Sequence, residues 1–286
     1  MANLKDIKRR IGSVKNTQQI TRAMKLVAAA KLRRAQEAVL AARPYAEKVM
    51  EVMEDVAVRV DPEAHPLLHR REGDKKLILV LAGDKGLCGP YNSNIFKAAM
   101  AAIGDGTAED ISLALVGGKG ADFFKRRPYP VVEKFLDYGK RDVVELAHEV
   151  AGVVIKLFVD EEIDQVILIY NKFKNVVIQL PQTVSLIPLT LPSVEENDRP
   201  VDFEYEPSAE VVLDGMLRRY IENQIYEAIL ESAASENGSR MTAMDAATKN
   251  AKEMIDDLTL IYNRARQAAI TTELIEVVAG ADALEG

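Results

Sequence analysis

The stretch that decides the fold lies near the end of the chain, where residues 226–279 read YEAILESAASENGSRMTAMDAATKNAKEMIDDLTLIYNRARQAAITTELIEVVA. No proline follows Pro207, and steps of three and four residues alternate, which is the period of a coiled coil. The seam consists of Tyr226, Leu230, Ala233, Asn237, Arg240, Met244, Ala247, Ala251, Met254, Leu258, Ile261, Ala265, Ala268, Thr272, Ile275 and Ala279. A helix starting near Ser208, a suitable N-cap, would form a rod of about 105 Å, too long for a compact domain.

The beginning of the chain carries a second seam of the same period. Its members are Leu4, Ile7, Ile11, Val14, Gln18, Thr21, Lys25, Ala28, Leu32, Ala35, Val39, Ala42, Ala46, Val49, Met53 and Val56. Pro44 interrupts or kinks this helix, and Asp61-Pro62 is expected to end it. We predict that the two helices form a long antiparallel coiled coil over the shorter helix, so that the longer one overhangs.

Polar residues interrupt both seams. Gln18, Thr21 and Lys25 follow one another in the first, and Asn237 and Arg240 do so in the last helix. Two interpretations stay open: buried polar residues fix the register of the coil, or both stretches face something other than each other.

The middle of the chain, residues 74–190, has a different period. Short apolar runs bounded by Gly or Asp are typical of buried strands, and helix-like stretches separate them. The expected strands are 76–81, 111–116 and 164–170, with a later strand or hairpin at 176–189, and the expected helices are 93–103, 119–126 and 142–159. This alternation predicts a central Rossmann-like α/β domain inserted between the two coiled-coil helices.

A glycine loop, Gly83-Asp84-Lys85-Gly86-Leu87-Cys88-Gly89, follows the first strand and precedes a helix, where an α/β domain would cradle phosphate. Its spacing matches neither the P-loop nor the dinucleotide-binding motif. We therefore interpret it as a structural turn, and Gly117–Gly120 in the same way.

Composition narrows the function. The 286 residues carry a net charge of −7, although residues 1–43 hold eleven basic and two acidic side chains. The acidic total and the absence of Trp disfavour a nucleic-acid-binding coiled coil, which ranks last. The basic first helix favours an acidic partner surface or is merely solvated. The sequence shows neither a secretory signal nor a membrane-spanning run, so we expect a cytosolic protein or one peripheral to a membrane machine.

Catalytic and metal-binding patterns do not stand out. Cys88 is the single cysteine, with no histidine within twenty residues, and His65, His69 and His148 lack zinc-ligand spacing. We therefore expect no catalytic, cofactor-binding or metal-binding residue. The alternative is a cytosolic α/β enzyme whose helical ends serve as oligomerisation arms.

Three stretches resemble the γ subunit family of bacterial F-type ATP synthases. They are ITRAMKLVAAAK at residues 20–31, GLCG at 86–89, and ARQAAITTELIEVVAGA at 265–281. The resemblance implies a non-catalytic central rotor that couples proton or sodium flow to ATP synthesis or hydrolysis. The implied partners are three α and three β subunits, the ε subunit and the membrane c-ring.

The resemblance also implies functional residues and a location. Residues matching family positions that contact the β subunits are Met24, Lys25, Arg240, Arg266, Gln267, Thr271 and Glu273. Asp202, Tyr205 and Glu206 fall where the family's foot meets the c-ring and ε. The expected division is an N-terminal coiled-coil helix at 1–60, the α/β domain at 74–190 and a C-terminal helix at 208–286. A chain that begins directly with its first helix, without a transit peptide or an inserted cysteine pair, suggests a peripheral protein on the cytoplasmic side of a bacterial plasma membrane.

Overall fold

The computed structural model describes residues 4–57, 65–189 and 209–285. Along the sequence, two long helices flank a segment of alternating strands and helices, as predicted. The elements are α1 (Leu4–Ala57), β1 (Lys76–Leu81), α2 (Tyr91–Ile103), β2 (Ile111–Val116), α3 (Gly118–Phe124), β3 (Val131–Phe135), a 3₁₀ turn (Tyr138–Lys140), α4 (Val143–Val159), β4 (Gln165–Phe173), β5 (Gln179–Ile187) and α5 (Ala209–Glu285). Contacts define two compact units, residues 28–240 and residues 1–27 with 241–286.

The sheet lies in the unit of residues 28–240 and has the strand order β3-β2-β1-β4-β5. The first four strands are parallel, and β5 runs antiparallel to β4. Strands β1 and β2 have the predicted bounds and pair in register from Lys76 with Ile111 to Leu81 with Val116. The Rossmann-like prediction is confirmed by this order, in which the winding reverses between β1 and β4.

Strand β3 was not predicted. It is an edge strand whose central residues Val132, Glu133 and Lys134 are exposed. Because an edge strand with two charged residues forms no continuous apolar run, its sequence lacks the signal that revealed its buried neighbours.

Both faces of β1 are buried. Leu77, Leu79 and Leu81 belong to one core cluster with residues of α4 and α5. Ile78 and Val80 belong to a second cluster with residues of α2 and α3. Each such side chain contributes about 1.5–3 kcal/mol on full burial, which explains why the strand is apolar throughout and does not alternate.

The proline in the first long helix does not end it. Pro44 lies inside α1, which continues to Ala57. Met53 of α1 shares a core cluster with Leu213 and Leu217 of α5. The predicted helix end at 61–62 and the proposed N-cap at 208 lie outside the described residues.

In the unit of residues 1–27 with 241–286, α1 and α5 are antiparallel. Thr21 Oγ1 is 2.8 Å from Thr248 Oγ1, and Lys25 Nζ is 2.6 Å from Asp245 Oδ1, so numbers rise along one helix as they fall along the other. The predicted seam of α1 is buried or half-buried from Ile7 onward in this unit. The antiparallel coiled coil is thus confirmed.

Part of the predicted α5 seam was wrong by one residue. Met254 is 52% exposed and Ile261 is 54% exposed, and Ala268 is exposed too. Their neighbours Ile255 and Tyr262 lie half-buried instead. Because a heptad seam accepts the second knob three or four residues after the first, and apolar residues stand at both positions, the sequence does not separate the two choices.

The end of α5 overhangs, as predicted. Every residue from 270 to 281 is exposed. The overhang includes large apolar side chains, among them Leu274 at 61% and Val277 at 70% exposure. Such a patch on a helix is typical of a surface that another protein covers.

Candidate functional site

The loops that follow β1, β2 and β3 are tied together by one carboxylate. Asp84 Oδ1 accepts hydrogen bonds of 3.1 Å from the backbone N–H groups of Gly118 and Asp137. Asp84 Oδ2 accepts another, of 3.1 Å, from the N–H of Gly139. Parallel sheets bind ligands at the carboxyl ends of their strands. Here, amides at that edge already hold an anion that is part of the chain.

The glycine loop turns carbonyl oxygens toward α5. Ser239 Oγ donates to Cys88 O at 2.6 Å, and Arg240 Nη2 donates to Lys85 O at 3.4 Å and to Gly86 O at 3.3 Å. Carbonyl oxygens attract cations, whereas a phosphate cradle presents N–H groups. The loop therefore serves as a structural turn, which is how its sequence was interpreted.

Helix α5 also contacts the end of β4. Ser235 Oγ donates to Asn171 O at 3.0 Å, and Phe173 N donates to Glu231 Oε2 at 2.6 Å. A methyl group at Gly238 would lie 3.1 Å from the Phe173 ring. The helix therefore approaches this strand too closely for most side chains at that position.

A buried ion pair lies at the centre of these contacts. Glu236 is 7% exposed, the Arg240 side chain is 14% exposed, and Arg240 Nη2 lies 2.5 Å from Glu236 Oε1. The Tyr138 hydroxyl donates to the other oxygen of Glu236. Burial and the Glu236 charge raise the pKa of Tyr138 well above its ordinary value, and the same two causes act on the pKa of Tyr91.

We call this set the crevice cluster. Its members are Asp84, Glu231, Ser235, Glu236, Ser239 and Arg240. Sequence reasoning singled out Arg240 alone as a functional residue and missed the others. The available signal was the segment ESAASENGSR at 231–240, since small and polar residues with a glycine are unfavourable inside a helix unless something approaches closely.

The polar break in the first seam has a different explanation. Thr21 and Lys25 bond to Thr248 and Asp245 of α5, and Lys249 Nζ also lies 2.9 Å from Asp245. Hydrogen bonds from Lys25 and Lys249 lower the pKa of Asp245. Thr21 and Lys25 therefore fit register specification within the coil, whereas Arg240 faces the glycine loop. Register specification therefore explains Thr21 and Lys25 in the first helix. In the last helix, Arg240 faces a part of the chain other than the polar stretch of α1.

The residues expected to contact β subunits fall in different places. Arg240 lies in the unit of residues 28–240 and makes the intrachain bonds described above. Met24 and Lys25 are half-buried in the other unit. Exposed positions on the end of α5 hold Arg266, Gln267, Thr271 and Glu273. The foot residues Asp202, Tyr205 and Glu206 lie outside the described residues.

His65, His148 and Cys88 have structural contacts. His65 Nε2 lies 3.1 Å from Asp214 Oδ1, and His148 Nδ1 lies 2.9 Å from Glu222 Oε1. Burial raises the pKa of the Cys88 thiol, which makes it less reactive at neutral pH. Within residues 4–57, 65–189 and 209–285, His, Cys, Asp and Glu side chains form no group of three suited to a metal ion.

Fold and site together define a coiled-coil protein that carries an inserted Rossmann-like domain with its ligand crevice occupied by its own helix. A family model described as ATP synthase matches residues 3–284. The ATP synthase gamma chains of Pelotomaculum thermopropionicum and Moorella thermoacetica are each 48% identical over 285 residues, which is 100% of both chains in each comparison. The chain belongs to the ATP synthase gamma chain family.

Solved structures show the same fold. The central stalk and c-ring structure of Tetrahymena thermophila mitochondrial ATP synthase contains a chain that is 26% identical, with a TM-score of 0.61, covering 80% of this chain and 99% of that one. A chain of the Euglena gracilis mitochondrial ATP synthase is 18% identical, with a TM-score of 0.69 and coverage of 98% and 94%. The second likeness concerns the fold alone.

In the part of the chain that the structure describes, no helix is both long and apolar enough to cross a membrane.

Proposed function

We propose that this chain is the central rotor of a bacterial F-type ATP synthase. It transmits rotation between a membrane c-ring and a catalytic head of three α and three β subunits. In this way it couples proton or sodium flow to ATP synthesis or hydrolysis. An asymmetric rod inside a ring of equivalent sites changes their nucleotide affinities only through contacts that differ from site to site.

The observation that carries the proposal is 48% identity with gamma chains over the full length of both chains. The Tetrahymena relative comes from a structure of a central stalk with its c-ring. The exposed end of α5 supports an enclosed position, because its apolar side chains lack a cover within the described chain.

The rotor in this proposal contributes no catalytic group of its own. The crevice where an α/β enzyme would bind its ligand is filled by Glu231, Glu236 and Arg240 of α5. That arrangement supports a structural role for the α/β domain and argues against the alternative of a cytosolic enzyme with oligomerisation arms.

Contacts with the β subunits are proposed for the residues that match the family motifs. Arg266, Gln267, Thr271 and Glu273 are accessible to such a partner in the described chain. The Lys25 side chain is 41% exposed beside Asp245, and so part of its surface is open to a partner. Met24 and Arg240 complete the proposed set, although Arg240 has a second role within the chain.

The remaining parts of the proposal concern the other end of the complex. Asp202, Tyr205 and Glu206 would form the foot that meets the c-ring and ε. The chain would be held at the cytoplasmic side of the plasma membrane through the c-ring. Its three proposed segments are the N-terminal coiled-coil helix at 1–60, the α/β domain at 74–190 and the C-terminal helix at 208–286.

Native mass spectrometry of the complex that co-purifies with a tagged copy tests this function. One copy of the chain beside three copies each of two larger subunits is the expected result. A homo-oligomer without those subunits would refute the rotor and return attention to the α/β domain.

A further inference from the structure

We propose that Glu236 is a positioning residue, which locks α5 at a fixed rotation about its own axis in the crevice of the α/β domain. This inference rests on the proposed rotor function, and it concerns a residue that neither the motifs nor the relatives point to. All contacts that carry it lie within the unit of residues 28–240.

The buried face of α5 changes character along its length. Up to Ile229 it is apolar apart from the buried Asn223, with Leu217, Ile221 and Ile225 in the core cluster that also contains α4. From Glu231 to Ser239 the buried side chains are largely polar or charged. Apolar contacts depend little on angle, so they set the rotation of a helix only approximately, by the side that faces the core. Charge-assisted hydrogen bonds depend on angle as well as distance, and so they specify it.

Glu236 links α5 to the segment after β3 directly and to the glycine loop after β1 through Arg240. One carboxylate oxygen accepts from the hydroxyl of Tyr138, in the 3₁₀ turn after β3. The other lies 2.5 Å from Arg240 Nη2, which in turn bonds the glycine loop after β1. A methyl group added at Gly83 would lie 3.2 Å from the same carboxylate. A small rotation of α5 would break several of these contacts together.

The loops on the other side of the contact are themselves fixed. Asp84 holds the segments after β2 and β3 against the glycine loop. Glu236 fixes the rotation of α5 only if the loops that it contacts are themselves fixed, because torque applied to a mobile loop would move the loop and not the domain. In the rotor, the α/β domain and the part of α5 up to Arg240 would therefore turn together.

The test combines a structural readout with a functional one in the whole reconstituted complex. Glu236→Gln keeps the size of the side chain and removes its charge. The buried thiol of Cys88 sits in the glycine loop, so its labelling rate with a maleimide reports release of that loop. We expect labelling about tenfold faster or more, since a charged hydrogen-bond network is weakened. We also expect fewer ions pumped per ATP hydrolysed, with ATPase activity and subunit stoichiometry kept.

Matched variants separate positioning from general damage. Glu222→Gln, on the same helix, removes a surface pair with His148 and should leave both readouts unchanged. Glu236→Asp should recover part of the pumping that Glu236→Gln loses. If Glu236→Gln does not assemble, Tyr138→Phe removes a single hydroxyl and should shift both readouts the same way by less.

The outcomes are distinct. Faster Cys88 labelling with unchanged pumping per ATP would overturn the inference while leaving the rotor intact, and so would unchanged labelling. A wild-type chain that assembles with no α and β subunits would instead overturn the proposed function.

Discussion

At the scale of single residues, two charged side chains bond to partners that are far away in the sequence. Lys25 with Asp245 joins α1 to α5, and Glu236 with Tyr138 joins α5 to the α/β domain. Neither pair has a local pattern that announces it. The sequence showed that Lys25 breaks a seam, but only the fold shows what lies opposite.

Exchanging the two charges of the first pair separates its role in the coil from a role toward a partner. Lys25→Glu places a carboxylate against Asp245 and should lower the free energy of unfolding by up to about 1 kcal/mol. Adding Asp245→Lys restores the pair with α1 but removes the pair with Lys249, so most but not all of that stability should return. If Lys25 also faces an acidic β-subunit surface, ATP-driven pumping falls in the single variant and stays low in the double variant. Pumping that recovers together with stability would confine Lys25 to the coil.

A second residue-scale prediction concerns alkaline pH. The pKa of Tyr138 is raised by burial and by Glu236, with Tyr91 and Asp84 adding to the effect. The folded chain therefore holds this proton more tightly than the unfolded chain, in which tyrosine has a pKa of about 10. The stabilisation is fully present below that pH and is lost as pH rises above it. Chemical denaturation between about pH 9 and 11 should show a steeper fall for wild type than for Tyr138→Phe. Tyr45→Phe, at an exposed site, is the control.

At the scale of elements, two of the three glycines in α5 have opposite surroundings. Near Gly215 an added methyl group would meet nothing within 4 Å, whereas at Gly238 it would meet the Phe173 ring at 3.1 Å. The same helix thus carries one glycine that packing does not explain and one that a close approach to β4 does.

Alanine at these two positions forms a matched comparison. Gly215→Ala should raise the free energy of unfolding by about 0.5–1 kcal/mol, because alanine favours the helix. Gly238→Ala should gain less or lose stability, because the ring must move. Thermal unfolding of both variants measures the difference, and equal gains would show that the contact with Phe173 is soft.

Elements also show how far sequence reasoning reached. The seam of α1 and the bounds of β1 and β2 followed from periodicity, because those residues are buried by regular neighbours. Strand β3 was not predicted, because its exposed edge residues include Glu133 and Lys134 and so form no continuous apolar run. The crevice cluster was not predicted from the sequence, because partners such as Asp84 and Gly139 come together only when the fold brings three loops to one edge of the sheet. Arg240 was singled out as a polar break in the seam and as a match to a family position, and neither signal indicates its bonds to the glycine loop.

At the scale of the whole molecule, the division into two compact units makes a prediction about truncation. A chain ending before Ile270 loses a segment whose residues 270–281 are all exposed, so the sheet and its cores should stay folded. In the assembled complex the shortened α5 should make fewer contacts with the α and β subunits around it. The ratio of ions pumped to ATP hydrolysed should therefore fall. A chain ending at Gly280 is the control. Circular dichroism showing loss of β signal in the shorter chain would contradict the independence of the overhang.

The carboxylate of Asp84 has a consequence for how such a complex responds to the cell. A tethered anion faces its amide donors at an effective concentration in the millimolar range or above, independent of the cell's metabolite pool. A free nucleotide would have to displace it and also expel α5 from the crevice. We therefore expect the contact between α5 and these loops to stay the same when the nucleotide concentration in the cell changes.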